Sequence, residues 1–174
     1  MLETLFWLGR EEADVELPGR VSGIDYGTVR LGIAISDAAR SISSPYENYR
    51  RQDDQKDAQR FQRLVSEEEV VQFVVGLPVH TSGQESQKSR EAREFGSWLT
   101  NATGVPVDFV DERFTTQQAE QALLGAGLTN QKRKARRDML AAQILLQTYL
   151  DHGAASSESL GALDDTRGEN GGHA

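Results

Sequence analysis

The spacing of hydrophobic and polar residues over 20–50 predicts three antiparallel β-strands. From 20 to 37, β-branched and apolar residues alternate with small ones, and a tight turn at 27–30 interrupts the alternation. Residues 42–50 fit a third strand of the same meander. The chain is therefore expected to open with antiparallel strands.

After residue 50 the pattern changes to helices that alternate with single strands. Apolar runs at 70–75 and 105–110 predict buried strands of the parallel kind. Helices are predicted at four places: 55–69, 84–101, 115–124 and 136–150. Residues 125–135 are predicted to form a flexible connection. This order indicates an α/β fold, in which a mixed five-stranded sheet (three antiparallel strands, then parallel strands) is flanked by helices.

Length and composition favour one globular domain. The 174 residues suffice for one proper core. We predict an N-terminal extension over 1–20, a folded domain over 21–152 and a disordered acidic tail over 153–174. No apolar run approaches the roughly 18 residues that span a bilayer, and the N-terminus lacks the basic lead-in of a secretory signal. We expect a cytoplasmic protein without a membrane partner.

The charge of the chain is unevenly distributed. The net charge of −8 opposes phosphate binding if it is taken as a whole. Residues 1–20 carry −3 and residues 151–174 carry −4, which leaves −1 for the middle. Five basic residues stand there without an acid between them: Lys132, Arg133, Lys134, Arg136 and Arg137. The run is either a solvated segment or a nucleic-acid contact, and its position just before Asp138 favours the contact.

Asp25 is the first candidate for a chemical role. Strand alternation places it on one face with Gly23 and Gly27, while Gly32 and Ala34 form a matching small-residue face on the next strand. A carboxylate on such a face leaves room for a metal with its substrate, or for a closely packed helix. The alternative is a turn aspartate that accepts hydrogen bonds from backbone amides.

Asp138 is the second candidate. In a helix it shares one face with Ala141, Ala142, Leu145 and Tyr149. Because the rest of that face is apolar, an ionised Asp138 needs a partner or a cation. Alternatively, it stabilises the first turn through the helix dipole. The two alanines allow this helix to lie close to the sheet.

The third candidate acid lies at the end of the strand predicted over 105–110. Asp111 and Glu112 are adjacent, so they point to opposite faces if the strand continues, and spacing does not decide which one reaches the site. Arg113 can pair with the other acid or contact a phosphate. His80, in a loop, is interpreted as an exposed histidine, with a general acid or base role as the alternative.

Carboxylates from separate elements, in a chain without cysteine, suit a hard divalent ion. Mg²⁺ takes oxygen ligands and keeps waters for chemistry, and two such ions can activate a water and stabilise the leaving oxygen of a phosphodiester. The residues therefore favour an oxygen-ligated metal site, with Mg²⁺ or Mn²⁺, provided that the acids converge in space.

Four segments resemble motifs of the YqgF/RuvX family, described as pre-16S ribosomal RNA nucleases or Holliday-junction-resolvase-like proteins. The segments are GIDYGTVRLGIAISD (23–37), VVGLPVHTSGQES (74–86), VDERFTTQQAEQAL (110–123) and RRDMLAAQILLQTYL (136–150). In order and spacing they cover essentially all of 21–150. The combination is specific, whereas any one segment alone is weak.

The resemblance implies an RNase H-like fold and a cytoplasmic bacterial nuclease, a metal-dependent hydrolase acting in 5′-end processing of pre-16S ribosomal RNA. Carried over by motif, Asp25 is the first-strand metal ligand and Asp138 the helix ligand. The second ligand is the acid of the DER motif, where analogy with related resolvases favours Glu112 over Asp111. The extension and the tail have no counterpart in the family pattern.

Three alternatives stay open at this point. The close second is a Holliday junction resolvase acting on branched DNA, for which a homodimer rather than a monomer would be needed. Another is a non-catalytic RNA-binding or assembly module, in which the acids are structural pairs. A phosphotransferase of the actin-like ATPase and sugar kinase type is suggested by residues 25–28, but those proteins duplicate the core and need a much longer chain.

Overall fold

The computed structural model describes residues 19–78, 85–111 and 130–152. Its strands are β1 (Arg20–Asp25), β2 (Arg30–Ser36), β3 (Ser43–Arg50), β4 (Val70–Leu77) and β5 (Val107–Asp111). Its helices are α1 (Asp54–Glu68), α2 (Gln87–Thr103) and α3 (Asn130–His152). None of these helices is long and apolar enough to cross a membrane.

The strands form one mixed sheet in the order β3-β2-β1-β4-β5. The pairs β1–β2 and β2–β3 are antiparallel, and the pairs β1–β4 and β4–β5 are parallel. The prediction of a five-stranded sheet with three antiparallel strands followed by parallel ones is therefore confirmed. The predicted helix at 115–124, residues 1–18 of the extension and the tail at 153–174 lie outside the described residues.

Helix α3 corrects one element of the sequence prediction. It begins at Asn130, whereas residues 130–135 were expected to belong to a flexible connection. Gln, Lys, Arg and Ala all have high helix propensity, and this outweighs the absence of an apolar period in the basic run. The basic residues are therefore carried by the same helix as Asp138.

Each face of the sheet has its own core. Helices α1 and α2 cover one face, where the fully buried side chains include Ile24, Phe61 and Phe73. Helix α3 covers the other face, with Ala142 and Leu146 fully buried against Val74. Ile24 points to the face that α1 and α2 cover. Because side chains alternate along a strand, the next residue, Asp25, lies on the α3 face.

Helix α3 lies unusually close to the sheet because glycines stand below it. A Cβ atom on Gly32 would be 2.1 Å from the backbone oxygen of Asp138, and one on Gly23 would be 2.7 Å from the Cβ of Leu146. Gly32 pairs with Asp25 on one side and with Asn48 on the other. The backbone of Asp138 therefore lies above the row of paired residues formed by Asp25, Gly32 and Asn48.

We predict that Gly32→Ala destabilises the fold by about 1–3 kcal/mol, because the added methyl group meets helix backbone rather than a flexible side chain. Urea denaturation measures the loss, and amide hydrogen exchange should be faster in α3. Gly104→Ala is the control. Gly104 has φ 75° and open space around its Cβ position, so alanine costs about 1–2 kcal/mol of backbone strain without disturbing α3. Wild-type stability of Gly32→Ala would contradict the close approach.

Candidate active site

A cleft of about 900 Å³ lies at the carboxyl end of β1. It is bounded by the β1–β2 turn, by Pro78 after β4, by the start of α2 and by the first half of α3. The carboxyl ends of the parallel strands of an α/β sheet meet at such an edge, and ligands commonly bind there. The predicted residues Asp25 and Asp138 both line this cleft.

Three described carboxylates line the cleft, each from a different element. Asp25 ends β1, Asp138 lies in the third turn of α3 with 17% of its side chain exposed, and Glu91 lies in the second turn of α2. Glu91 was missed by the sequence analysis, because an acid near a helix start looks like ordinary surface charge. Within the described residues, no three acidic or histidine side chains are grouped closely enough to hold a metal by themselves.

Asn48 holds the segment of α3 that carries Asp138. Its Nδ2 donates to the backbone oxygen of Ala135 at 2.9 Å and, more weakly, to Oδ2 of Asp138 at 3.4 Å. On the other side of the carboxylate, Nε of Arg137 lies 3.9 Å from Oδ1. The Asp138 carboxylate is therefore oriented by the sheet from below and by its own helix from the side.

Asp111 lies on the other face of the sheet. Val110 packs on the α3 side, whereas Val107 and Phe109 belong to the core below α1 and α2, so alternation places Asp111 with the latter. Asp111 is not among the residues that line the cleft. Glu112, Arg113 and His80 lie outside the described residues.

Tyr149 ties the far end of α3 to β5. Its hydroxyl donates to Oδ2 of Asp108 at 2.7 Å. Burial, and then this hydrogen bond, raise the pKa of Tyr149 above its usual value, so the hydroxyl remains a neutral donor. The helix is thus fixed to the sheet at both ends, by Asn48 near the cleft and by Tyr149 away from it.

Tyr26 forms part of the cleft next to Asp25. Its ring lies 5.1 Å from that of Phe95, and the guanidinium of Arg51 stands 5.9 Å from the ring centre. Burial raises the pKa of Tyr26, so its hydroxyl is protonated at neutral pH. Tyr26 therefore adds an aromatic surface and no negative charge to the cleft.

The predicted basic run lies on α3 and reaches the cleft in part. Lys134 and Arg137 line the cleft, and Lys132 and Arg136 are exposed on the same helix; the side chain of Arg133 lies outside the described part of the chain. Three further cations line the cleft that the sequence analysis did not single out: Arg30, Arg50 and Lys88. They come from separate elements, so no run of sequence indicates them.

Comparison with known proteins relates the sequence of this chain to a family. The sequence model of one family, described as "RuvX: Holliday junction resolvase", matches residues 19–152. A protein of Rhodopirellula baltica named "Putative pre-16S rRNA nuclease" is 44% identical over 133 residues, which are 76% of this chain and 77% of that protein. A protein of Rhodobacter capsulatus with the same name is 36% identical over 145 residues, 82% of this chain and 91% of that one.

A solved structure shares the fold. The structure of T. thermophilus RuvC in complex with Holliday junction substrate has a TM-score of 0.52 and 18% sequence identity, and the match covers 80% of this chain and 99% of that one. The RNase H-like fold implied by the sequence motifs is confirmed by this likeness, which concerns the fold alone.

We predict that Asn48→Ala lowers the free energy of unfolding by about 1 kcal/mol, because the sheet loses its hydrogen bond to the oxygen of Ala135. Urea denaturation measures the loss of stability, and amide hydrogen exchange localises it. Exchange should become faster in the first turns of α3. Asn101→Ala, at an exposed position of α2, is the matched control and should cause no loss. Unchanged exchange in α3 would show that Asn48 does not hold the helix.

Proposed function

The chain belongs to the RuvX family, and from that premise we propose that it is a metal-dependent nuclease that hydrolyses phosphodiester bonds in the 5′-end processing of pre-16S ribosomal RNA. The observation that carries the proposal is the meeting of Asp25 and Asp138, from the first strand and the last described helix, in one open cleft with a cationic rim. The location is taken to be the cytoplasm, where this substrate is made.

The residues present fit a divalent cation in their chemistry. Asp25 and Asp138 supply carboxylate oxygens, and the chain contains no cysteine that would favour a softer metal. We propose Glu112 as a third ligand. The position of Asp111 on the opposite face from Asp25 supports this choice, because the next residue of a continuing strand faces the other way.

When bound, Mg²⁺ or Mn²⁺ would activate a water and stabilise the leaving oxygen of the phosphodiester. Asp25 and Asp138 hold the ion in this proposal, and Asn48 holds the segment of α3 that carries Asp138, through its bond to the backbone oxygen of Ala135. The remaining contribution of the cleft is electrostatic. Lys134 and Arg137 line the same cleft as the acids, so they offset the repulsion between those carboxylates and a phosphate.

A structural role for the two acids is disfavoured by comparison with Asp57, which has that role in this fold. Asp57 is 1% exposed and accepts from the Tyr49 hydroxyl at 2.7 Å, the Gln52 amide at 2.9 Å and Arg51 at 3.2 Å. Asp25 and Asp138 differ from Asp57 in their exposure and not in having partners, because both of them line an open cleft. This contrast favours catalysis over a non-catalytic RNA-binding or assembly module.

Branched DNA is the second candidate substrate. The family description names a Holliday junction resolvase, and a chain that cuts a junction symmetrically acts as a homodimer, whereas processing of a single RNA end needs only a monomer. Cleavage of either substrate requires the same carboxylate chemistry. The residues of the cleft therefore do not distinguish the two, and a cleavage assay on both substrates does.

We predict that Asp25→Asn lowers cleavage at least about a hundredfold while the fold is retained, because a neutral amide is a poor ligand for a hard cation. The measurement compares a pre-16S 5′-end precursor and a four-way DNA junction, each with Mg²⁺, with Mn²⁺ and with chelator. Asp54→Asn is the matched control, since Asp54 is exposed on α1 at the opposite face of the sheet. Wild-type cleavage by Asp25→Asn would refute the assignment. Binding of nucleic acid without any cleavage by the wild-type protein would favour the assembly module.

We predict that replacing Lys132, Lys134 and Arg136 with Gln weakens binding about equally for probes of unrelated sequence, because backbone phosphates carry no sequence information. The slope of log affinity against log salt should fall by roughly 0.7–0.9 for each phosphate that is no longer neutralised. Two RNA probes of equal length and scrambled sequence serve as each other's control. A loss of affinity confined to one sequence would contradict the phosphate-binding role of α3.

A further inference from the structure

Arg30 and Arg50 form a like-charged pair at the mouth of the cleft. They are directly opposite each other in the β2–β3 register, and both line the cleft. Like charges in opposite positions on neighbouring strands repel each other and destabilise the pair. The charges of this pair do not favour folding, and their position in the cleft makes the two arginines candidates for binding an anion.

No acid in the described part of the chain forms an ion pair with either arginine. Among the described residues, the side chains of Arg30 and Arg50 make no ion pair or hydrogen bond. Arg51, the next residue along the chain, instead bonds to the buried Asp57. Two of the three acids that line the cleft accept hydrogen bonds from neutral amides and not from these arginines: Glu91 from Gln87, and Asp138 from Asn48.

Helix α3 adds a further cation at the same end of the cleft. Asp138 lies over Gly32, and Leu146, later in α3, lies over Gly23, which pairs with Ala34. The helix therefore runs toward the end of β2, and the turn before Asp138 extends toward the start of β2. That turn carries Lys134, and the start of β2 is Arg30. Positive charge is therefore gathered at one end of the cleft, beyond the carboxylates.

The spacing along β2 suits consecutive phosphates. Gly32 is level with Asp25, and Arg30 lies two residues away on the same face, which is about 7 Å along a strand. This is comparable with the separation of neighbouring phosphates in an extended nucleic-acid strand. Arginine also presents a planar fork of donors that matches the oxygens of a phosphate.

We propose that Arg30 and Arg50 form a phosphate-binding site that holds a backbone phosphate of the nucleic acid next to the one positioned at Asp25 and Asp138. The inference rests on the proposed nuclease function and adds a second anchoring point to it. Since the contact is to the backbone, it acts on RNA and DNA alike and without regard to sequence.

The test measures binding in the Asp25→Asn background, so that no probe is cut. Arg30→Gln and Arg50→Gln are compared by fluorescence anisotropy on a labelled pre-16S 5′-end RNA and a labelled four-way DNA junction. Each variant should bind both probes about three- to tenfold more weakly, with a salt slope lower by roughly 0.7–0.9. Arg63→Gln is the matched control, because Arg63 is an exposed arginine of α1 on the other face of the sheet.

Arg50→Glu separates binding from folding. It places opposite charges across the two strands, so the melting temperature should be kept or raised while binding falls below that of Arg50→Gln. A binding loss that is accompanied by stability of at least the parent value is not explained by misfolding.

The phosphate site would be overturned if Arg30→Gln and Arg50→Gln bound both probes as tightly as their parent, or if Arg63→Gln weakened binding to the same extent. A parent protein that binds neither probe would overturn it as well. Cleavage by the wild-type protein is measured separately. If arginine-dependent binding is found without cleavage, the phosphate site stands and the nuclease proposal fails. If cleavage is found and the arginine variants bind normally, the nuclease proposal stands and the phosphate site fails.

Discussion

The contact on which the site depends is that of α3 with two glycines of the sheet. Ala142, Leu146 and the backbone of Asp138 lie so close to Gly23 and Gly32 that neither position has room for a side chain. Without this approach the helix would stand further from the strands, and Asn48 could not reach the oxygen of Ala135. The cleft is therefore a product of packing, in which the absence of two Cβ atoms brings a helix carboxylate to the level of a strand carboxylate.

The two faces of the sheet differ in how far apolar packing extends across them. The face below α1 and α2 is a conventional apolar core with aromatic rings such as Phe61 and Phe73 in edge-to-face contact. The α3 face is apolar only in part, since it ends at the cleft where the charged residues gather. The larger apolar cluster therefore lies on one side of the sheet, and the open cleft with its carboxylates and cations lies at the end of the other side.

The sequence predicted the strands, the change from antiparallel to parallel strands and two of the cleft carboxylates, because period and small-residue faces are local properties. The start of α3 was predicted wrongly, since a basic run has helix propensity but no apolar period to reveal it. Glu91, Arg30, Arg50 and Lys88 were missed for a different reason. Each is an ordinary surface charge in its own segment, and only the tertiary fold brings them to one cleft.

Helix α3 carries both Asp138 and the basic residues that precede it, and this has a geometrical consequence. An α-helix rises about 1.5 Å per residue, so Lys134 and Asp138 are held about 6 Å apart along its axis. In the proposed function, a phosphate bound by Lys134 would therefore lie within the reach of one lysine side chain from the group that Asp138 binds. In the proposed nuclease, this spacing would set the place of cleavage by the backbone of the nucleic acid and not by its bases.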